Sequence, residues 1–174
     1  MLFRSLAEGR IIGWFQGRME FGPRALGHRS ILADPRDPDM KDTLNRRVKH
    51  RESFRPYGAS VLLEAADEYF ECKAPTPFML FACRARALAK ERVPAVVHVN
   101  GSCRLQTLTA EDNGIFHALV EEFGRQTGVP ILLNTSFNGR NEPIVCTPED
   151  AYACYRSADL DGLVMGNFFV EKQP

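Results

Sequence analysis

Short apolar segments alternate with amphipathic segments along most of this 174-residue chain, and this alternation constrains its fold more than any other feature. The apolar segments have the length of strands and end near glycine, proline or asparagine: residues 10–16, 29–34, 58–63, 77–87, 95–108, 129–133 and 162–171. The segments between them are read as helices: residues 2–9, 37–51, 64–71, 109–128 and 147–157. Strands that alternate with helices predict an α/β (α+β) fold with a substantial mixed sheet flanked by helices.

The helix predicted over residues 37–51 is the one most closely tied to function. Its start is acidic and its end is basic, which suits the helix dipole, and Asp37 or Asp39 can cap its first turn. Its buried stripe consists of three apolar residues spaced four apart: Met40, Leu44 and Val48. This register leaves Asn45 and Lys49 together on an adjacent face, so we expect the helix to direct Lys49 toward a defined place.

Two further elements have distinct sequence signals. The pair Asn100-Gly101 adopts the positive φ angles of a two-residue turn readily, so residues 95–108 are predicted to form a hairpin with Arg104 just past its turn. The strongest helix signal covers residues 109–128 and ends at Gly128. Its expected buried register is Ile115, Leu119 and Phe123.

Length and composition favour a single cytoplasmic domain over residues 1–174. The apolar runs fall short of the roughly 18 residues that a membrane span needs, and the first ten residues lack the long apolar segment of a secretory signal. The five cysteines are odd in number and form no CxxC pair, so we expect unpaired packing or surface residues in a reducing compartment. The four histidines are scattered and predict no metal cluster.

The net charge is zero, but the charges are unevenly distributed along the chain. Residues 1–56 hold 12 Lys and Arg against 7 Asp and Glu, whereas residues 57–174 hold 10 against 15. A local positive field concentrates anionic ligands even on a neutral protein. The alternative is a solvated basic face without a ligand, and charge counting alone leaves both interpretations open.

The segment GRMEFGPRALGHRS, residues 17–30, follows neither a helix period nor a strand period. Its three arginines, Arg18, Arg24 and Arg29, are separated by glycines. Glycine lets the backbone approach a ligand, and arginine offers a fork of donors to phosphate oxygens, so the segment resembles a phosphate cradle. It matches neither the Walker pattern nor GxGxxG, and a glycine-rich turn with arginines in solvent is an equal alternative.

Polar residues at two other places fit an anionic ligand as well. Lys49 and Arg55 flank a helix end, and Pro56 lets Arg55 turn back toward Lys49, although the helix dipole alone explains the neighbouring arginines 46, 47 and 51. Asn134 and Ser136 follow a buried strand, where α/β proteins collect ligand-binding groups. A simple turn made by these amide and hydroxyl side chains is the alternative.

Four segments then show a specific resemblance: GWFQGRMEFGPRALGHRSILADPRDP, FRPYGASVL, RLQTL and LLNTSFNGRNEPIVCTPEDA. In this order, over about residues 8–170, they resemble the C-terminal domain of the O-carbamoyltransferase family, which includes nodulation and antibiotic-tailoring enzymes. The resemblance implies a YrdC-like fold with a twisted mixed sheet. It also implies that ATP and carbamoyl phosphate form carbamoyladenylate here, and that a separate N-terminal actin-like, iron-binding domain transfers the carbamoyl group to an acceptor hydroxyl.

The resemblance also implies the ligand contacts. They fall on six residues: Arg24, Lys49, Arg55, Arg104, Asn134 and Ser136. The four cations are expected to hold phosphates and to stabilise charge during the reaction, with Mg²⁺ bound mainly through the nucleotide, while Asn134 and Ser136 orient the carbamoyl group or the adenylate. No protein nucleophile is required, and Cys103 is expected to be a packing residue.

The resemblance leaves alternatives open. The actin-like domain is missing from this sequence, so the chain is expected to be an excised domain or a unit that needs a partner. A basic concave face also suits an RNA-binding module. Two observations stand against this interpretation: the total charge is neutral, and Phe21 and Phe54 are the only aromatic residues among the arginines that could stack on bases. A degenerate domain that regulates a catalytic partner is the third possibility.

Overall fold

A computed structural model describes residues 2–172 of the chain. Within them one mixed sheet contains nine strands: β1 Ile12–Phe15, β2 Arg29–Ala33, β3 Gly58–Leu62, β4 Phe70–Glu71, β5 Ala82–Ala85, β6 Ser102–Leu108, β7 Ile131–Ser136, β8 Gly162–Met165 and β9 Phe168–Glu171. Their order is β4-β5-β6-β3-β7-β2-β1-β8-β9. The pairs β3–β6 and β1–β8 are parallel and the others are antiparallel.

Helices connect these strands: α1 Leu2–Ala7, α2 Met40–Leu44, α3 Leu63–Tyr69, α4 Ala87–Arg92, α5 Ala110–Thr127 and α6 Pro148–Ser157. A π-helical turn over Asn45–Lys49 continues α2, and a short 3₁₀ helix covers Pro94–Val96. No helix within residues 2–172 is long and apolar enough to cross a bilayer. The predicted α/β (α+β) class, a mixed sheet flanked by helices, is confirmed.

The two faces of the sheet bury separate apolar clusters. The larger cluster includes the stripe predicted for α2, since Met40, Leu44 and Val48 are all buried in it. The smaller cluster lies under α1 and α5, where Trp14 and Phe116 pack together. Side chains alternate between the two faces of a sheet along each strand. Ser60, Gln106 and Asn134 therefore lie on the same face as the smaller cluster, beyond its apolar residues, and form a polar area there.

Strand register positions the polar area. Gly58 of β3 pairs with Arg104 of β6 on one side and with Asn134 of β7 on the other. These three residues therefore form one cross-strand row in the middle of the sheet. The position lies at the start of β6 and near the end of β7, beside the loop that follows β7.

The hairpin predicted over residues 95–108 is wrong. Asn100 and Gly101 do form a turn, in which the His98 N–H donates to the Ser102 carbonyl at 2.7 Å, but only Gly101 has a positive φ. The residues before the turn begin in a 3₁₀ helix instead of a strand. Strand β6 instead pairs in parallel with β3 and antiparallel with β5, partners that local turn chemistry does not reveal.

Three smaller expectations are also corrected. The strand expected over residues 77–87 covers only Ala82–Ala85. Helix α5 has non-helical dihedral angles at Asn113, which shifts the register so that Ile115 is 61 % exposed. The residues of α5 that face the core are Phe116, Leu119, Val120 and Phe123. Asp39 makes no side-chain cap, and the Asp37 carboxylate accepts from the Asp39 N–H and not from a helical N–H.

The expectation that all cysteines are unpaired is wrong, because Cys72 and Cys83 form a disulfide. Strands β4 and β5 pair Glu71 with Arg84, so the next cross-strand pair is Cys72 with Cys83, and their Cα atoms lie 5.4 Å apart. The other three cysteines are free, and Cys103 is buried in the larger cluster as expected of a packing residue. Burial raises the pKa of its thiol to about 12.

Candidate functional site

Three arginines lie close enough to Arg104 to affect it electrostatically. Burial lowers the pKa of Arg104, and the nearby charges of Arg24, Arg51 and Arg55 lower it further. The Nε atom of Arg104 is buried without a hydrogen-bond partner. We call these four residues the arginine cluster. Cations held together in this way repel one another, so the cluster favours a ligand with several negative charges.

A polar cavity of about 280 Å³ adjoins the cluster. The charged side chains that line this cationic cavity are Lys49, Arg51, Arg55, Arg140 and a single acid, Glu52. Ser136, at the end of β7, and Asn138, in the loop after it, also line the cavity. The chain therefore brings cations from the α2 region and polar groups from the β7 end into one opening, as the sequence predicts for Lys49, Arg55 and Ser136.

The ammonium group of Lys49 is already bound within the protein. Its Nζ donates to the Ser136 carbonyl at 2.6 Å and, in the loop after β7, to the Asn138 carbonyl at 2.9 Å and its side-chain Oδ1 at 2.7 Å. The residue is only 5 % exposed. Lys49 consequently fixes the loop after β7. Its charge contributes to the potential in the cavity, but its N–H donors are already used within the protein.

Burial, with smaller contributions from Arg51 and Arg55, lowers the pKa of Lys49 to about 7 from an ordinary value of 10.5. The unfolded chain therefore binds more protons than the folded chain between these values, and stability increases with pH in that window. We expect the free energy of unfolding to increase from pH 7 to pH 9, relative to Lys49→Met, by up to about 1.4 kcal/mol per pH unit.

Chemical denaturation of both proteins at several pH values measures this difference. The Lys49→Met variant serves as the control because it lacks the buried ammonium group and leaves the other titratable side chains in place. A difference that stays constant from pH 6 to pH 9 would contradict the expectation and show that the surrounding oxygens keep the ammonium charged.

Asn134 belongs to a buried hydrogen-bond network beside the cluster. Its Nδ2 donates to Ser60 Oγ at 3.0 Å and to Gln106 Oε1 at 3.2 Å. Ser60 in turn donates to Gln106 Oε1 at 2.7 Å. The Oδ1 atom of Asn134 is fully buried and has no hydrogen-bond partner. It is therefore an unpaired acceptor in the cross-strand row that also contains Arg104. Buried polar atoms of this kind are uncommon in proteins.

The arginines of the glycine-rich segment have different environments. Arg29 is buried: it donates to the Gln16 and Gly17 carbonyls at 2.9 and 3.1 Å, and its guanidinium lies 3.5 Å from the ring centroid of Phe15. It is therefore a structural residue. Arg18 and Arg24 are exposed, and Arg24 extends the arginine cluster from this segment.

The structure thus brings most of the six sequence-predicted residues together. Lys49, Arg55 and Ser136 line one cavity, and Arg24 and Arg104 belong to the cluster beside it. Asn134 is buried one strand away from Arg104. The main residues that the sequence reasoning did not assign to the site are Arg51, Gln106, Asn138 and Arg140.

The sequence held a signal for two of these missed residues. Arg51 follows Lys49 by two positions, and Asn138 follows Ser136 by two. The helix-dipole interpretation of Arg51 is incomplete, because its guanidinium lies over the Tyr57 ring at 4.3 Å and its charge affects Arg104.

A second cavity, of about 470 Å³, opens near the other side of Gln106. We call it the aromatic cavity because Phe21 and Phe78 line it together with Met19 and Leu26. Phe21 is fully exposed and Phe78 is 59 % exposed. Gln106 connects the aromatic cavity to the buried network of Asn134. Within residues 2–172, no three histidine, cysteine or acidic side chains come together as a metal site would require.

Comparisons with known proteins identify the family to which the chain belongs. A family profile described as carbamoyltransferase C-terminus matches residues 3–172. Nodulation protein NolO of Bradyrhizobium diazoefficiens is 49 % identical over 97 % of this chain and 31 % of its own length. Nodulation protein NolNO of Sinorhizobium fredii is 48 % identical over 97 % of this chain and 25 % of its own length.

The fold has a counterpart among solved structures. The structure described as full-length HypF in the phosphate- and nucleotide-bound form superposes with a TM-score of 0.63 and 15 % identity, over 94 % of this chain and 20 % of that one. This is the mixed α/β fold that the resemblance predicted. The chain spans about a third or less of the curated relatives named above. The match along nearly its whole length shows that the chain belongs to the carbamoyltransferase C-terminus family.

Proposed function

We propose that this domain binds ATP and carbamoyl phosphate and forms carbamoyladenylate, which a separate domain uses to carbamoylate an acceptor hydroxyl. The observation that carries the proposal is the cationic cavity, where four Lys and Arg side chains face one acid, beside an Arg104 whose Nε has no partner. Two phosphorylated substrates would supply the missing negative charge. The family membership supports the transferase class.

The main task of such a site is electrostatic. Unit charges about 4 Å apart repel by about 4 kcal/mol at an effective dielectric constant of 20. We assign phosphate binding to Arg24, Arg55 and Arg104, because some of the N–H donors of their guanidinium groups have no hydrogen-bond partner within the protein. Lys49 contributes charge and holds Ser136 in place, and Asn134 presents its unpaired Oδ1 in the same row. Donors fixed before the ligand arrives cost little reorganisation.

The proposed reaction divides into two balanced steps. Water attacks the carbonyl carbon of carbamoyl phosphate and the bond from that carbon to the phosphate oxygen breaks. One water proton goes to the departing inorganic phosphate and the other to solvent, and carbamate remains. A carbamate oxygen then forms a bond to the α-phosphorus of ATP while the bond to the β-phosphate oxygen breaks, so that pyrophosphate leaves. Neither step needs a protein nucleophile, and the buried thiol of Cys103 is not available as one. The arginines stabilise the charge that develops on the phosphorus and on the leaving group.

Mg²⁺ fits this site only as an ion carried by the nucleotide. Carboxylate oxygens are its usual protein ligands, and Glu52 is the one carboxylate among the residues that line the cationic cavity. When bound to the phosphates, Mg²⁺ would neutralise part of their charge. We assign iron binding and the acceptor site to a separate N-terminal actin-like domain, which is the proposed partner.

We assign the nucleotide base to the aromatic cavity. Its position beside Gln106 and Leu26 places it next to the segment that carries Arg24, and the exposed Phe21 and Phe78 offer ring faces for stacking. Removing the Phe78 ring is expected to lower ATP affinity about tenfold, because stacking on an aromatic side chain contributes about 1–3 kcal/mol per base.

Calorimetric titration of Phe78→Ala with ATP and with tripolyphosphate measures this effect. Tripolyphosphate lacks a base, so its affinity should not change. The variant Phe168→Ala removes a ring that is 75 % exposed on β9 and serves as the control. An equal loss of affinity for both ligands, or no loss for ATP, would show that the base does not stack on Phe78.

The function is tested by titrating ATP, carbamoyl phosphate and an RNA oligomer separately into the wild-type chain. We expect saturable binding of ATP and carbamoyl phosphate, and pyrophosphate release when both are present. Salt-sensitive binding of RNA without binding of ATP would favour a nucleic-acid module instead and would contradict the proposal.

A further inference from the structure

The glycine-rich segment binds an anion that belongs to the chain itself. The backbone N–H groups of Leu26, His28 and Arg29 all donate to Oε1 of Glu20, at 2.6, 2.9 and 3.3 Å. Several backbone N–H groups that converge on one oxygen form the kind of nest that binds phosphates and other anions. In this protein the carboxylate of Glu20 occupies that nest.

The surroundings of Glu20 favour its charged form. Its side chain is only 7 % exposed, and its Oε1 lies 3.7 Å from Nδ1 of His28. Burial alone would raise the pKa of Glu20, but the nearby His28 side chain and the hydrogen bonds from the backbone N–H groups lower it to about 2. On the other side of the imidazole, Asn113 Nδ2 lies 3.4 Å from Nε2.

The same segment is joined to the candidate site by further hydrogen bonds. The Leu26 carbonyl accepts from Gln106 Nε2 at 2.9 Å, and Gln106 belongs to the network of Asn134. The Gly27 carbonyl accepts from Trp14 Nε1 at 2.8 Å. Arg24 precedes these anchored residues directly in the chain and is itself exposed. The position of its guanidinium therefore depends on how the segment around it is fixed.

We propose that Glu20 is a positioning residue, whose carboxylate fills the backbone nest of residues 26–29 and thereby holds Arg24 within the arginine cluster. The expected effect of Glu20 on ATP affinity rests on the proposed function. Its effect on the conformation of the glycine-rich segment does not. Under the proposed function, the substrate phosphates would meet arginine side chains and not these backbone N–H groups, because Glu20 already occupies the nest.

The test removes the carboxylate and then replaces it from solution. Glu20→Ala is expected to lower ATP affinity about tenfold or more, because hydrogen bonds to a charged group are lost and the segment loosens. Formate should enter the vacated nest and restore most of that affinity, relative to sodium chloride at the same ionic strength. Glu20→Gln should give an intermediate affinity, because its amide oxygen can accept the same N–H groups without the charge.

The matched control is Glu122→Ala, which removes a half-buried carboxylate paired with the exposed Arg125 on α5. Its ATP affinity should equal that of the wild type, with no gain from formate. A loss of affinity in Glu20→Ala that formate leaves unchanged would indicate general destabilisation and would overturn the proposal. Wild-type affinity in Glu20→Gln and Glu20→Ala would overturn it equally.

A second measurement separates this inference from the proposed function. The amide proton shifts of Leu26 and His28 in the ligand-free chain report the nest directly by NMR. We expect both to move in Glu20→Gln and, if Glu20→Ala folds, to return toward wild-type values when formate is added. If the wild type binds no ATP but these shifts behave as stated, the proposed function fails and the role of Glu20 in the segment stands. Unchanged shifts in Glu20→Gln would overturn the role itself.

Discussion

Replacing Arg104 by methionine lowers the affinity for ATP about 100-fold without destabilising the ligand-free domain, if the arginine cluster is the phosphate site. Methionine keeps most of the aliphatic packing but removes a charge that is half-buried among other cations. The pKa of Arg104 is lowered by burial and by Arg24, Arg51 and Arg55, so its charge raises the free energy of the empty site. The same charge becomes favourable once phosphates bind.

A substitution that lowers ligand affinity but not stability identifies a charge that binds the ligand, whereas one that lowers stability alone identifies a structural charge. Calorimetry gives the affinity, and denaturant unfolding without ligand gives the stability. Arg125→Met removes an exposed arginine at the far end of α5 and should change ATP affinity little. If Arg104→Met lowers stability and leaves affinity unchanged, Arg104 is part of the scaffold and the phosphate assignment is wrong.

Gly27→Ala destabilises the domain by about 3 kcal/mol or more, which is the largest stability effect expected here. Gly27 has a φ of 102°, in a region that side chains avoid, and a Cβ at this position would lie 2.7 Å from Cγ of Phe116. Phe116 is completely buried under the sheet, so it has little room to move. The substitution would also displace the segment that carries Arg24.

Gly114→Ala is the matched control, since nothing lies within 4 Å of a Cβ there and the residue is part of α5. Alanine is the better helix former, so this variant should be as stable as the wild type or about 1 kcal/mol more stable. Urea unfolding of both variants gives the comparison. Equal stability for the two would mean that Gly27 is not constrained as the geometry indicates.

The local elements of this fold were predictable, whereas their partners were not. The alternation of strand and helix segments placed most elements, as for the helix predicted over residues 147–157, which the structure has at Pro148–Ser157. The hairpin over residues 95–108 failed because β6 lies between β3 and β5, and such pairings depend on the whole sheet. The Cys72–Cys83 disulfide was missed for the same reason, since it follows from the register of two short strands.

The sequence predicted which residues belong to the site better than it predicted their contacts. Charge and spacing identified Arg55 and Ser136, which do line one cavity. The sequence could not show that the donors of Lys49 are taken up by the loop after β7, because this depends on a tertiary contact. It also gave no sign that Glu20 fills the nest of the glycine-rich segment. An acid next to three arginines looks like a neighbouring charge until the backbone conformation is known.

The most direct test of the account is a crystal structure of this chain with a non-hydrolysable ATP analogue that has a methylene group between the α- and β-phosphorus atoms. The account predicts phosphate oxygens within hydrogen-bond distance of Arg55 and Arg104, with Arg24 on the same ligand and the base against Phe78. An analogue bound on another face of the sheet, without contact to these arginines, would contradict it.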